Sequence, residues 1–223
     1  MADLDDLPPP PGVYSIETPS NPEAPTSIGF DGQGKAKYPN GDEYDGMYAN
    51  GVRHGAGTYF YRDTQDKFKG TFDQNQKSGM GRVDYKAGGY YHGFFENGKR
   101  HGEGTFQYPN KDIYSGMWKE GKRHGKGTYV YANTKYELKG VWKEGQIVQG
   151  TWTFTDGTRF VGSFQQNKPC GDGVWETKQG TIVEGAYVQQ VVPIDGAPKR
   201  PDGTPATETR IFWNTATMVA MED

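Results

Sequence analysis

A short sequence unit returns about every 23 residues through most of this 223-residue chain. Each repeat opens with the pattern ring-x-Gly-x-ring and continues with a single glycine and then a Gly-x-Gly pair. Clear copies begin at Tyr44, Phe68, Tyr91 and Tyr114, and weaker copies begin at Leu138, Phe160 and Val183. A short fixed period is typical of a stacked array in which each repeat packs only on its neighbours. The question of function therefore shifts from an active site to a docking surface.

Composition agrees with a thin array better than with a conventional globular core. The chain holds 33 glycines, and only 33% of it is hydrophobic although 14% is aromatic. Each aromatic ring can bury roughly 150–250 Å², so rings at fixed repeat positions can supply a core that few aliphatic residues provide.

Within a repeat the side-chain period is two, which indicates β-strands rather than helices. Tyr114, Gly116 and Trp118 would share one face of a first strand, Gly121 would lie in a turn, and a second strand would carry Tyr129. Dipeptides such as Asn50-Gly51 and Asn97-Gly98 favour hairpin turns. The sequence predicts an all-β fold, an elongated single-layer solenoid of stacked β-hairpins with extended termini.

The glycines at two positions of the repeat are expected to have structural roles. Glycine between the two rings of the first strand is expected to leave a slot for a ring of the neighbouring hairpin. The Gly-x-Gly pairs are expected to provide backbone angles with positive φ near a bend.

Three regions follow from the pattern. Residues 1–27 form an acidic, Pro-rich arm that is read as extended or disordered, either a solvated linker or a ligand for a polyproline-binding module. Residues 28–187 form the array of about seven repeats, the first and last of them partial. Residues 188–223 form a Pro-containing tail whose apolar segment Ile211-Phe212-Trp213 either caps the last hairpin or inserts into another protein.

The repeat resembles the MORN family, which is defined by Tyr-x-Gly-x-Trp and later glycines. The match covers residues 29–187 and is strongest in the repeats that begin at Tyr44, Tyr91 and Tyr114. Asn75 stands where the second repeat should carry its turn glycine. The repeat that begins at Leu138 is one residue short and lacks one glycine, so a kink or altered twist is expected there.

A narrower likeness is to the radial-spoke-head MORN proteins of motile cilia. It is carried by residues 32–44, by the recurrent Arg/Lys-His-Gly blocks, by the irregular repeat at 138–151 and by residues 167–173. The likeness implies a non-catalytic structural protein of the cytoplasm and cytoskeleton, in the cilium or flagellum axoneme, that helps to relay central-pair signals to dynein. The implied partners are other spoke-head proteins, a second MORN protein or a second copy of this chain, and central-pair proteins.

Basic residues recur at one position of the repeat, and we call them the basic ladder. Residues 44–187 carry 20 Lys and Arg against 15 Asp and Glu, although the whole chain has a net charge of −3. The ladder is expected on one edge of the array, where it would either bind an anionic partner or remain a solvated edge that discourages strand pairing. It comprises Arg53, Lys77, Lys99, Arg100, Lys122 and Arg123.

The sequence contains no pattern of residues that indicates catalysis. His54, His101 and His124 share one repeat phase, but equivalent positions of successive hairpins lie roughly 9.5 Å apart, too far to share a metal ion. No nucleotide motif has its proper context, and Cys170 has no indicated base. We therefore expect no enzyme, metal or cofactor, no nucleic-acid partner and no integral membrane association. The alternative function is a peripheral membrane or phosphoinositide-binding adaptor.

Overall fold

The computed structural model describes residues 15–19, 21, 26–198 and 200–219, and every regular element in these ranges is a β-strand. The chain divides into an N-terminal unit, residues 1–133, and a C-terminal unit, residues 134–223. The described residues include no helix long and apolar enough to cross a membrane.

Ten strands lie in the N-terminal unit and six in the C-terminal unit. The first ten are β1 Ser15–Glu17, β2 Gly32–Lys37, β3 Glu43–Ala49, β4 Val52–Phe60, β5 Lys67–Asp73, β6 Gln76–Asp84, β7 Tyr90–Glu96, β8 Lys99–Gln107, β9 Ile113–Lys119 and β10 Lys122–Val130. The others are β11 Glu137–Lys143, β12 Gln146–Thr153, β13 Arg159–Gln165, β14 Lys168–Glu176, β15 Ile182–Pro193 and β16 Thr207–Val219. Within each unit every strand pairs antiparallel with the next one along the chain, which confirms the predicted all-β array of hairpins.

Each repeat is a hairpin closed by a two-residue turn. Asn50 and Gly51 have φ values of 48° and 80°, and Asn97 and Gly98 have 49° and 79°. Positive φ at both central residues defines the type I′ turn, whose twist matches that of the flanking strands. The two predicted hairpin turns are confirmed.

The second strand of each hairpin carries a bulge. Gly46 pairs with Gly57 while Tyr48 pairs with Arg53, so three residues of β4 face the single residue Met47. Gly55 lies in this bulge with a φ of 68°, a conformation that a β-carbon disfavours. The predicted positive φ is thus found at the first glycine of the Gly-x-Gly pair, whereas the second lies in regular pairing.

The repeat that begins at Leu138 is one residue shorter than the others, and the difference lies in this bulge. Val141 pairs with Gln149 and Trp142 with Ile147, so only Val148 is extra where other hairpins have two additional residues. Beyond the bulge Leu138 pairs with Trp152, as Tyr44 pairs with Tyr59 in the first hairpin. The irregularity predicted from the sequence is therefore local, and the pairing on both sides is regular.

The core is a row of rings on one face of the sheet, which we call the aromatic face. Tyr44 contacts Phe72 at a ring-centroid distance of 5.1 Å, and Tyr91 contacts Trp118 at 5.3 Å, both edge to face. The first ring of one hairpin thus meets the second ring of the next. Tyr44, Tyr91 and Phe72 are at most 1% exposed, so aromatic contacts join neighbouring repeats without a second layer of sheet.

The strand glycines accommodate a ring, but not the one that we expected. A β-carbon on Gly46 or Gly57 would collide with the ring of Tyr44, which belongs to the same hairpin. The Tyr44 hydroxyl then donates to the Met47 carbonyl at 2.8 Å. The predicted slot for a neighbouring hairpin's ring was wrong, because the tyrosine folds down over its own strand and reaches the carbonyl three residues on.

Both ends of the repeat array continue into paired strands. In the N-terminal arm, β1 pairs with β2 through Ser15, Ile16 and Glu17, and Ile16 is fully buried. Residues 1–14, 20 and 22–25 of the arm lie outside the described residues. In the tail, β15 crosses the boundary drawn at residue 187 and forms a hairpin with β16.

Candidate functional site

Four residues of the basic ladder lie on the aromatic face. Arg53 stands opposite Tyr48 in the β3–β4 hairpin, and its guanidinium carbon lies 4.8 Å from the centre of the Tyr59 ring and 5.5 Å from that of Phe72. Such a position is favourable because the ring face carries negative potential. Arg53 is 1% exposed and Lys77 is 2% exposed, so for these two residues the predicted solvated edge was wrong.

The same arrangement recurs in the next repeats. Lys77 places its ammonium 5.7 Å from the centres of the Phe68 and Phe95 rings, and Arg100 lies 4.7 Å from the centre of the Trp118 ring. Arg123 lies 5.6 Å from the centres of two tyrosine rings. These four cations, Arg53, Lys77, Arg100 and Arg123, cover the aromatic row, so most of the ladder stabilises the fold.

Two of the arginines also hold the turn of the following hairpin. The Nη2 atom of Arg53 donates to the Asn75 carbonyl at 2.7 Å, and that of Arg100 donates to the Gly121 carbonyl at 2.9 Å. In return the amides of Asn75 and Gly121 donate to the arginine carbonyls, each at 3.0 Å. Neighbouring turns are thereby joined by both main-chain and charge-assisted hydrogen bonds.

Lys122 is the exposed member of the ladder, and Lys99, Arg100 and Arg123 are partly exposed. The Lys99 ammonium lies 3.4 Å from the Glu120 carboxylate across neighbouring repeats, with both side chains about half exposed. Lys122 is exposed at the start of β10. The exposed positive charge on this edge is therefore much smaller than the sequence predicted.

Two of the histidines that follow the ladder residues lie beside carboxylates. His54 Nδ1 lies 3.3 Å from Asp73, and His101 Nδ1 lies 3.1 Å from Glu96. Among the described residues no group of three or more potential ligands is placed to hold a metal ion. His54 and His101 thus each have an acidic neighbour beside a bulge glycine.

Buried aspartates hold the opposite ends of the strands, and sequence reasoning missed them. Asp112 accepts a hydrogen bond from the Tyr129 hydroxyl at 2.6 Å and another from the Ala132 amide at 2.7 Å. Asp42 does the same with Tyr59 and Arg62, both at 2.8 Å. The available signal was an Asp just before three of the first strands, at positions 42, 66 and 112.

The pKa of Asp112 reflects these contacts. Burial alone would raise the pKa, but hydrogen bonds from Tyr129, Ala132 and Asn110 favour the carboxylate and bring the pKa below its usual value. Asp112 is therefore an ionised anchor within the fold.

The other face of the sheet, which we call the outer face, exposes large apolar side chains. They are Met47, Met80, Phe94 and Met117, which are 38–47% exposed. Met80 and Phe94 are directly opposite each other across β6 and β7, and Met117 faces Glu103 across β8 and β9. An exposed apolar cluster with a polar rim is typical of an interaction surface.

A groove of about 580 Å³ runs over this part of the outer face. Met80, Phe94 and Met117 supply its apolar lining, while Glu103 and Lys126 supply charges of both signs. Sequence reasoning missed the groove because it considered only the strand face that carries the repeated rings and glycines. The signal was present, since positions 47, 94 and 117 have the same phase between the two rings of a repeat.

The apolar segment of the tail forms the middle of β16. Trp213 lies against Tyr187 and Phe160, with ring centroids at 4.9 Å and 6.0 Å. Its ring therefore continues the aromatic row, in agreement with the capping alternative. Ile211 and Phe212 stay 36% and 46% exposed, so the other two residues remain accessible.

Comparisons with known proteins agree with the repeat pattern. A family model described as MORN repeat matches residues 29–43, 44–64, 68–90, 91–113, 114–134, 139–159 and 160–182. No curated protein matches the chain. A fold built from this repeat alone is typically non-enzymatic.

Two solved structures of a Drosophila melanogaster protein show distant likeness. The crystal structure of the TCP10c domain of Sas-4 is 18% identical, covers 69% of this chain and 91% of its own, and has a TM-score of 0.40. The SAS-4 (dCPAP) TCP domain in complex with a proline-rich motif of Ana2 (dSTIL) is 18% identical, covers 70% of this chain and 84% of its own, and has a TM-score of 0.26.

Proposed function

The chain belongs to the MORN-repeat family, and we propose that it is a non-catalytic scaffold protein of the radial spoke head in motile cilia and flagella. MORN repeats suggest an adaptor that binds either proteins or membranes.

The exposed apolar side chains of the outer face favour a protein partner. Phe94 and Met80 lie side by side and are 44% and 47% exposed. Large apolar side chains grouped in a groove provide the kind of desolvated contact on which most binding energy of protein interfaces depends. This cluster is the observation that carries the scaffold proposal.

Burial of the cations argues against the membrane alternative. A lipid headgroup would need guanidinium and ammonium groups that reach the surface, yet Arg53 and Lys77 lie under rings and turns. Lys99 has a glutamate beside it. The positive potential that would attract an anionic bilayer is thereby reduced.

The spoke-head assignment rests on sequence likeness alone, in residues 32–44, the Arg/Lys-His-Gly blocks, the irregular repeat and residues 167–173. In this role the sheet would serve as a rigid platform for other spoke-head proteins and for contact with the central pair. Rigidity agrees with the ring contacts and turn hydrogen bonds that join neighbouring repeats of the N-terminal unit.

Fractionation of isolated axonemes tests the assignment. We expect the native protein to remain with salt-washed axonemes and to co-purify with radial spokes after extraction. Recovery only in the cytosolic fraction would exclude the spoke head.

A variant pair tests whether the outer face carries the binding. Phe94→Ser should reduce recovery of spoke-head proteins at least severalfold, because it removes the central ring of the groove. Lys69→Ser removes an exposed side chain elsewhere on the outer face and should leave recovery unchanged. Equal recovery with both variants would contradict a role for the groove.

Flotation with phosphoinositide-containing vesicles tests the membrane alternative. Wild-type protein is expected to stay unbound. If it floats, Lys99→Glu and Lys122→Glu should weaken the binding, since Lys122 is the exposed cation of the ladder and Lys99 is partly exposed.

A further inference from the structure

The last strand of the C-terminal unit has an unusually open edge. β16 runs for 13 residues, Thr207–Val219, and pairs with β15 on one side, while no described strand pairs with its other side. Natural proteins protect such edges by short strands, lysines or prolines. The first strand, β1, has only three residues, whereas β16 contains no Pro, Lys or Gly, and its charged residues Glu208 and Arg210 pair with each other.

Half of this hairpin extends beyond the rest of its sheet. β14 pairs with β15 only from Ile182 to Tyr187, so Val188–Pro193 and their partners on β16 form a two-stranded ribbon. A two-stranded ribbon is marginally stable in water unless further strands or a packed face support it. Val191 and Phe212 are 66% and 46% exposed on it, so two large apolar side chains of the ribbon face solvent.

A bulge sets the length of the usable edge. Gly185 pairs with Thr215 but Glu184 pairs with Thr217, which leaves Ala216 as an extra residue. The bulge interrupts the regular edge at this point. The uninterrupted segment is therefore 207–215, with Ile211 at its centre.

We propose that this edge binds a second copy of the chain, with the two β16 strands antiparallel and a two-fold axis at Ile211. In that register Thr209 of each copy faces Trp213 of the other on the aromatic side. On the outer side Arg210 faces Phe212 and Glu208 faces Asn214. Aromatic residues opposite β-branched residues and cations opposite rings are favourable cross-strand neighbours, and no two like charges are opposed.

The segment favours its own copy over an unrelated strand because it is self-complementary. Any pairing of identical antiparallel strands repeats each contact twice, so a poor match would be penalised twice, and here all the pairs are compatible. The two-fold contact also closes on itself, which an edge-to-edge contact between β16 and a different edge would not do. The product is a four-stranded sheet. In one copy alone, the ribbon is held to the β13–β14 hairpin by hydrogen bonds from Gln189 and to the Thr209 carbonyl.

Solution mass measurements test the proposal independently of the spoke-head assignment, since they need only the pure full-length protein. We expect a concentration-dependent dimer at twice the 24.8 kDa chain mass. Ile211→Lys would oppose two ammonium groups at the axis and should raise the dimer Kd at least tenfold. Met218→Lys, beyond the bulge on the same strand, should leave the Kd unchanged.

A wild-type chain that stays monomeric at about 100 μM would overturn the proposal, as that concentration is well above the Kd of a specific dimer. A dimer that Ile211→Lys does not weaken would overturn it too. Circular dichroism of each variant shows whether the fold is retained.

Cross-linking tests the register and does not depend on a destabilising charge. In a Cys170→Ser background, Ile211→Cys places the two new thiols opposite each other at the axis, so mild oxidation should form a disulfide dimer. Met218→Cys places them tens of ångströms apart in the same register and should react at least tenfold more slowly. Equal rates would overturn the proposed axis.

Discussion

The Nη2 atom of Arg53 donates a 2.7 Å hydrogen bond to the carbonyl of Asn75, in the turn of the following hairpin. The same guanidinium lies over the Tyr59 ring. A single buried side chain thus joins the aromatic row of one repeat to the turn of the next.

Removing this guanidinium should destabilise the protein. Arg53→Met keeps most of the apolar stem but loses the hydrogen bond and the ring contact, so the free energy of unfolding should fall by about 1.5–3 kcal/mol. Arg53→Lys should cost less, because Lys77 occupies this phase in the next repeat. Urea unfolding followed by circular dichroism measures both, with exposed Lys69→Met expected to change the stability by less than about 0.5 kcal/mol. Equal effects of Arg53→Met and Lys69→Met would contradict a structural role for the ladder.

Acid should weaken the fold through Asp112. The folded state lowers the pKa of this carboxyl, so its contribution is present above the unfolded pKa near 4 and is lost as the pH falls through the folded value. Asp112→Asn should flatten the dependence of stability on pH in this range and destabilise the protein at neutral pH by about 1–3 kcal/mol. The exposed Asp63→Asn is the control. An unchanged acid profile for the Asp112 variant would refute the assignment.

Alkali should weaken the fold through the buried tyrosines. Burial raises the pKa of Tyr44, Tyr91 and Tyr114 well above the usual value near 10. Their contribution is complete below pH 10 and is lost as the pH rises beyond it, because the unfolded chain releases the protons first. Ultraviolet titration should show late phenol ionisation in the native protein and ordinary ionisation in urea. Tyr91→Phe should reduce the alkaline loss, and the phenylalanines at this phase, Phe68 and Phe160, indicate that the ring itself is accommodated.

The strand glycines should tolerate no side chain. A β-carbon on Gly104 would collide with the ring of Tyr91, so Gly104→Ala should destabilise the protein by about 1–3 kcal/mol or more through overpacking. Gly145→Asn is the matched control, because the site is open and the residues Asn75 and Asn167 hold the same turn position with positive φ. Comparable unfolding midpoints for the two variants would contradict the proposed role of the Tyr91 ring.

The repeat pattern predicted the hairpins, their turns and the location of the irregular copy, because these depend on local rules of periodicity and turn chemistry. It did not predict that Arg53 and Lys77 are buried, since a charged residue is normally assigned to water. Their burial depends on rings of neighbouring repeats that the local sequence does not reveal. The groove around Phe94 was missed for a related reason, as both faces of a repeat carry apolar residues and only the paired structure shows which face is covered.

The bulge opposite Met47, and its shorter form beside Val141, has a consequence for how such chains change over generations. A one-residue deletion in a regular strand would turn every later side chain to the wrong face. Inside the bulge the same deletion alters only the unpaired residues. Lineages of this protein should therefore gain and lose single residues mainly between the ladder cation and the second glycine of the Gly-x-Gly pair.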